Sequence, residues 1–435
     1  MTNLREFFRA CNPAKTLNCK HEQDRKYYID FSSVRGAEIV EELTQSISWA
    51  EEPTCQLFSG HIGCGKSTEL LRLKANLEDE GFHIVYFESS QMLEMGDIDV
   101  SDIMLAIANQ VSVSLKQVGI SLTGGYFRNL LKECAQFLNT PIEINAEAEV
   151  SLLGIGKLTT KAKESPSLRN QLRQYLEPQT KSLITGLNQE ILEPATDTLV
   201  KQGKQGLAII IDNLDRIDDR RLDSGKTLPE YLFIGRGDQL GQLQCHVVYT
   251  IPLALMFSNE QQTLKYRLGK GTSPLVLPMV PVYCKDGAPE VEGLRQLRQL
   301  VLSRALPDSM PDDREAAVET LFDTSETLDR LCQMSGGHVR TLLGFMVSCL
   351  RKTKALPIQR ESVDRTIREA RDDLLGSITE DEWALLKKVA TTKVVTGEHE
   401  YQTLLRSLFV FEYRTDRDGR WFDVNPLLAE APQLQ

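Results

Sequence analysis

The chain has 435 residues, 41% apolar and 26% charged, which predicts globular domains with true cores, two or three of them by length. Its formal net charge of -11 excludes an overall basic footprint for nucleic acid, while a local one stays open. No apolar run approaches the length of a membrane span, the first nine residues lack the apolar core of a secretory signal, and the nine cysteines include no C-x-x-C pair; a cytoplasmic protein with reduced thiols and no membrane partner is expected.

Residues 1–33 read as a mixed lead-in arm. Val34-Arg35-Gly36 then opens an amphipathic helix through Ile39, Val40, Leu43 and Ile47. An apolar run over 55–58 leads into Gly60-His61-Ile62-Gly63-Cys64-Gly65-Lys66-Ser67-Thr68, which fits G-x-x-x-x-G-K-[ST] at every fixed position. Leu70, Leu71, Leu73 and Leu77 follow at helical spacing. Strand, glycine loop and helix are the setting a phosphate loop needs. The glycines let backbone N–H groups curl around phosphate oxygens, and the helix aims its positive end at the same place. Lys66 is placed to reach the β- and γ-phosphates, and Ser67 to ligate Mg²⁺. Residues 83–87 read as a second buried strand, and 101–115 as a helix with Ile103, Ile107 and Val111 on one face.

From 142 to 152 apolar and polar residues alternate strictly, which predicts a strand. Gly154 and Gly156 turn it into a partner strand carrying Lys157, Lys161 and Lys163. Ser165-Pro166 starts a long helical stretch, broken at Pro178 and Pro194. This whole block, 119–206, reads as an insertion into a nucleotide-binding sheet, either a surface elaboration or a partner-binding element. Leu207-Ala208-Ile209-Ile210-Ile211-Asp212 is a continuous apolar run ending in acid, the pattern of a central parallel strand, with Asp215 three residues on. Asp212 at that strand end is the expected second Mg²⁺ ligand, opposite Ser67. A fourth strand over 246–250 ends in Thr250, which either reaches the γ-phosphate side or satisfies local backbone; a last strand is expected within 275–282.

The remainder is helical to 375, and Ser335-Gly336-Gly337-His338-Val339-Arg340 breaks one helix and starts the next with Arg340 in its first turn. Thr379-Glu380-Asp381-Glu382 is a capping box, and strand candidates at 409–413 and 421–424 flank a turn with an Asp-Gly signal. The expected division is 1–33 arm, 34–288 nucleotide-binding domain with the inserted hairpin and helices, 289–375 helical lid and 376–435 winged helix.

In the order of its motifs, from about 34 to 426, the chain resembles the signal-transduction NTPases of the STAND/NACHT kind and is similar to the AAA+ initiator ATPases of the origin-recognition kind. The resemblance implies an α/β P-loop fold with a helical lid and a winged helix, ATP/ADP and Mg²⁺ as ligands, and an ATPase that switches its assembly state with nucleotide. Lys66 and Ser67 match the Walker A residues, Asp212 the Walker B aspartate and Asp215 the second acid. Arg340 resembles the lid sensor arginine, and Arg35-Gly36 the box that flanks the adenine. Asn213 stands where the AAA+ pattern has Glu, which implies slow hydrolysis, and Arg216 where NACHT proteins often have Glu. The expected partners are further copies of the chain and a separate effector protein; duplex DNA, approached through the winged helix and Arg406, Arg414, Arg417 and Arg420, is the alternative.

Overall fold

Five short apolar runs pair side by side into one parallel sheet: β1 (Cys55–Gly60), β2 (His83–Glu88), β3 (Leu207–Asp212), β4 (His246–Thr250) and β5 (Leu275–Leu277), in the order β2-β3-β4-β1-β5. This arrangement comes from a computed structural model that describes residues 3–36, 38–122, 125–137 and 150–434. All six residues of β1 and of β3 are buried, which is why β3 reads as an unbroken apolar run up to Asp212 and why β1 does not alternate, although it carries the buried polar residues Gln56 and Ser59. β5 is shorter than its run suggested, three residues ending just before Pro278, because proline cannot continue a ladder.

Each face of the sheet is covered. On one side Ile39, Leu43 and Ile47 of helix Ile39–Ser48 and Leu70, Leu73 and Leu77 of helix Lys66–Asp79 pack on Phe58, Ile210 and Val248. On the other, helix Val100–Gln117 and the inserted helices pack on Leu57, Val85, Ile209, Ile211 and Val247. Each such side chain contributes about 1.5–3 kcal/mol of burial.

The insertion differs from its sequence pattern. Residues 150–164, expected to be the end of one strand and its partner, form helix Val150–Glu164. Residues 142–149 lie outside the described residues. Gly156 is used for close packing: a Cβ there would stand 2.6 Å from Asn109 Oδ1 on helix Val100–Gln117. Ile155, Leu158 and Ala162, three and four residues apart, face the same core. Downstream, Ser165 caps helix Pro166–Leu176 by accepting from the Leu168 N–H at 3.3 Å, as its Ser-Pro start predicts. Pro178 falls in a 3₁₀ turn and Pro194 in the first turn of helix Glu193–Lys201.

Helices Val291–Ala305, Ser325–Met334, Val339–Lys352 and Arg360–Leu375 share a second core, which also takes Phe7, Cys11, Phe31 and Val34 from the arm. The chain ends in helices Glu380–Thr392 and His399–Arg406 and an antiparallel hairpin, β6 (Val410–Thr415) and β7 (Gly419–Val424). The capping box at Thr379 and Glu382 is formed in both directions. Phe411, Tyr413 and Trp421 of the hairpin enter the same core as the phosphate-loop helix, so the C-terminal hairpin is packed against the nucleotide-binding sheet.

Candidate functional site

β1 delivers the chain into a loop in which Gly60, Gly63 and Gly65 take φ of +149°, +96° and +112°. A Cβ is strained at all three, so the motif's glycines are here for backbone conformation. The loop feeds helix Lys66–Asp79 with Gly65 at its N-cap. Lys66 is buried and its ammonium is fully engaged: it donates to the Gly60 and His61 carbonyls, both at 2.8 Å, and pairs with Asp215 at 2.9 Å. Burial works against that charge, but the adjacent Asp215 carboxylate outweighs it and holds the lysine above its usual pKa.

β3 supplies the acids. Asp212 is buried; its Oδ1 accepts from the Asn213 N–H at 2.7 Å and its Oδ2 from the Tyr86 hydroxyl at 2.8 Å. Burial raises its pKa, against the pull of hydrogen bonds from Ser67 and Tyr86, while the charge of Asp215 adds to the rise. Hydroxyl and carboxylate oxygens meeting in this way suit a hard divalent cation, so Ser67 and Asp212 fit Mg²⁺. Asn213, where the sequence pattern led one to look for Glu, sits at φ +66°. Asn tolerates that left-handed turn far better than Glu, which gives the departure a backbone reason.

One cavity gathers most of the residues singled out from sequence. It is lined by Ile62 to Thr68, Asp212, Asp215, Arg35 and Arg340. Arg340 enters from the lid: its backbone N–H donates to the Gly63 carbonyl at 3.2 Å. Beside it His338 Nε2 donates to the Ile62 carbonyl at 2.8 Å, while its Nδ1 accepts from Thr341. Arg35 donates through Nη2 to the Cys64 carbonyl at 2.8 Å and lies over the Phe31 ring. The outward carbonyls of the loop are therefore gripped by the lid and by the segment that follows the arm, leaving its inward side to a ligand.

Other expected site residues lie elsewhere. The His61 side chain does not face this cavity; its Nε2 accepts from the Glu412 N–H of the hairpin at 3.0 Å, and Gly60 and His61 line a second cavity behind the loop. Gly36 lies under the hairpin turn, where a Cβ would stand 2.8 Å from the Thr415 backbone. Thr250 lines neither cavity: its hydroxyl donates to the Ile211 carbonyl at 3.2 Å and accepts from the Leu214 N–H at 2.9 Å. It braces the turn that carries Asp212 and Asp215.

Sequence reasoning missed several participants. Tyr86 reads from sequence only as one residue of a buried strand, yet its hydroxyl holds Asp212, while Glu88 at the end of that strand accepts from Gln91. The arm was taken as a lead-in, yet Pro13 to Leu17, Tyr27 to Ile29 and Phe31 line the cavity opposite the loop, and Leu17 N–H donates to Thr68 Oγ1 at 3.3 Å. Glu69, beneath Tyr28, is buried and pushed up to about 7 by burial. No periodicity announces such a strap; the cluster Tyr27-Tyr28-Ile29 was the one available signal.

Together, sheet, glycine loop and paired acids define a P-loop NTPase fold. No protein-family model and no curated protein matches the chain. Among solved structures, Cdc6p from Pyrobaculum aerophilum is similar at 13% identity over 98% of this chain and 96% of that one, with a TM-score of 0.39. The ORC2 protein of Aeropyrum pernix gives 13% over 94% and 95%, TM-score 0.41. A Walker-type ATPase of Pyrococcus abyssi gives 14% over 96% and 97%, TM-score 0.42. With likeness at this depth, the roles argued next rest on this chain's own residues.

Proposed function

We propose that the chain is an ATP-binding, slowly hydrolysing P-loop ATPase of the AAA+ type, in which a helical lid (289–375) and a winged helix (376–435) report the state of the nucleotide. The observation that carries this reading is the convergence of Lys66, Ser67, Asp212, Asp215 and Arg340 on the inward side of one glycine loop. Lys66 neutralises the β- and γ-phosphates once it turns from its carbonyl partners. Ser67 and Asp212 would hold Mg²⁺, which would supply neutralising charge to the bound phosphates. Asp215 orients the attacking water, and Thr250 positions both acids. Arg340 brings the lid to the γ-phosphate, and Arg35 steadies the loop beside the base end.

Titration of labelled ATP against wild type and Lys66→Ala tests the core of this reading. Binding is expected to weaken at least ten-fold in the variant, since a charged contact of about 1.5–3 kcal/mol is lost. Equal affinity removes the loop from the site. Asp215→Asn is expected to keep binding and lose turnover.

Of the two roles weighed from the sequence, action on duplex DNA has surface residues to support it: Arg414, Arg417 and Arg420 are exposed around the hairpin turn. Arg406, paired with Asp219, and Arg417, within ion-pair reach of Asp286 and Asp418, contribute less than Arg414 and Arg420. Self-association belongs to either role. Salt-dependent binding to duplex DNA, lost in the triple Ala variant of the hairpin arginines, is the expected result; indifference to duplex at low salt rejects the DNA role. Among the described residues no helix is long and apolar enough to cross a membrane.

A further inference from the structure

Two guanidinium groups converge on the nucleotide cavity from different elements. Arg340 comes from the first turn of lid helix Val339–Lys352, and Arg216 from the 3₁₀ turn Leu214–Arg216 that follows β3. Among the described residues neither side chain has a hydrogen-bond or ion-pair partner, although surface arginines elsewhere in this chain are mostly paired. Asp215, next to Arg216, is already committed to Lys66. Arg216 also lines the second cavity, behind the loop, so it stands at the border between the two, beside Ile62. Arg216 and Arg340 line the same cavity, where burial and the positive charge of Arg216 depress the Arg340 pKa against the opposite pull of Asp215.

Like charges brought together repel, and an anion between them turns that repulsion into attraction. We propose that Arg216 is a γ-phosphate ligand supplied by this chain itself, which with Arg340 forms a two-arginine clamp that selects nucleoside triphosphate over diphosphate. This rests on the nucleotide reading given above and assigns Arg216 a role that no motif position gives it. A diphosphate ends near Lys66 and leaves the two guanidinium groups without that anion; a third phosphate, whose oxygens accept from the planar guanidinium forks, satisfies both. The clamp also spans two bodies, since Arg216 is fixed to the sheet and Arg340 to the lid.

The test uses the full chain with Mg²⁺, a non-hydrolysable ATP analogue and ADP, titrated against wild type, Arg216→Ala and Arg216→Lys. Arg216→Ala is expected to lower affinity for the triphosphate about ten-fold or more while leaving ADP within about two-fold, and Arg216→Lys to recover part of the difference. Arg216 is exposed, so neither substitution removes core packing. An unchanged ratio of triphosphate to diphosphate affinity in Arg216→Ala overturns the clamp while leaving the nucleotide site intact. Equal losses for both nucleotides also overturn it, because that marks a general electrostatic or structural effect. Wild-type protein that binds neither nucleotide overturns the underlying reading as well.

Discussion

Tyr86 shows how much of the site depends on side chains outside the motifs. Its hydroxyl is one of two side-chain donors on the Asp212 carboxylate, so it pulls that group's pKa down against the rise that burial imposes and holds it aimed. Tyr86→Phe is expected to cost about 1 kcal/mol of stability and to raise several-fold the Mg²⁺ concentration needed for half-maximal nucleotide binding. A Mg²⁺ titration at fixed ATP analogue checks it, and an unchanged midpoint means the tyrosine only packs. Glu412 makes a second residue-scale case. It is 2% exposed, its Oε2 has no hydrogen-bond partner among the described residues, and burial pushes its pKa up to about 7. The unfolded carboxyl has its ordinary value near 4.5, so between those pH values the folded chain holds more protons than the unfolded one. Stability from this group therefore falls as pH rises through that window, by about 3 kcal/mol at most. His61 and His338, lowered to about 3 and about 4 mainly by burial, act with the opposite sign: their contribution grows as pH rises toward 6.5. Glu412→Gln isolates the acid. Its stability gain over wild type, from urea unfolding, is expected to be small at pH 5 and to reach a few kcal/mol at pH 8; a gain independent of pH refutes the assignment.

Elements differ in how plainly the sequence announces them. The buried strands were legible because parallel pairing makes most positions apolar, and the phosphate loop because its chemistry demands glycine and lysine at fixed spacing. The helix Val150–Glu164 was not legible, since Gly154 and Gly156 read as a turn, whereas both lie inside the helix and Gly156 serves close packing on Asn109. The lining arm was hidden for another reason: contacts such as Leu17 to Thr68 join residues 51 apart, and no local pattern encodes them. The break before the lid helix was visible as Gly336-Gly337, but its packing was not. Gly337 takes φ +73°, and a Cβ there would overlap the Val280 carbonyl, which is backbone and has little room to yield. Gly337→Ala is expected to cost about 2 kcal/mol or more. Gly344, in the interior of the same helix with open space around its Cβ position, is the control: Gly344→Ala is expected to gain about 0.5–1 kcal/mol. Urea midpoints of the two variants should move in opposite directions. Equal shifts would mean that the hinge conformation carries no special strain.

At the scale of the whole molecule, three separate bodies meet at one short loop. The lid reaches it through His338 and Arg340, the C-terminal hairpin through Glu412 on His61, and the sheet through Lys66 and Asp215. A Cβ on Gly63 would stand 2.5 Å from His338 Nε2, so lid and loop are in direct contact with no spare space. A ligand that reshapes the loop's inward side must therefore act on both outer domains. In the proposed reading Arg340 makes that action depend on the third phosphate, because the other charged lid residue in the cavity, Arg304, is taken up by the Tyr27 and Leu300 carbonyls. One charged contact of about 1.5–3 kcal/mol shifts a balanced closed-to-open equilibrium ten-fold or more, without driving it from one extreme to the other. Hydrogen exchange across the first turn of helix Val339–Lys352 and across β6 and β7 reads the closed population directly. In wild type both regions are expected to be protected more by the ATP analogue than by ADP. Arg340→Ala is expected to bind both nucleotides and to show equal protection with each, in the hairpin as well as the lid. Protection that still distinguishes the nucleotides in the variant places the coupling elsewhere in the loop. Loss of the difference in the lid alone would separate the hairpin from the nucleotide, leaving the His61 to Glu412 contact a matter of packing.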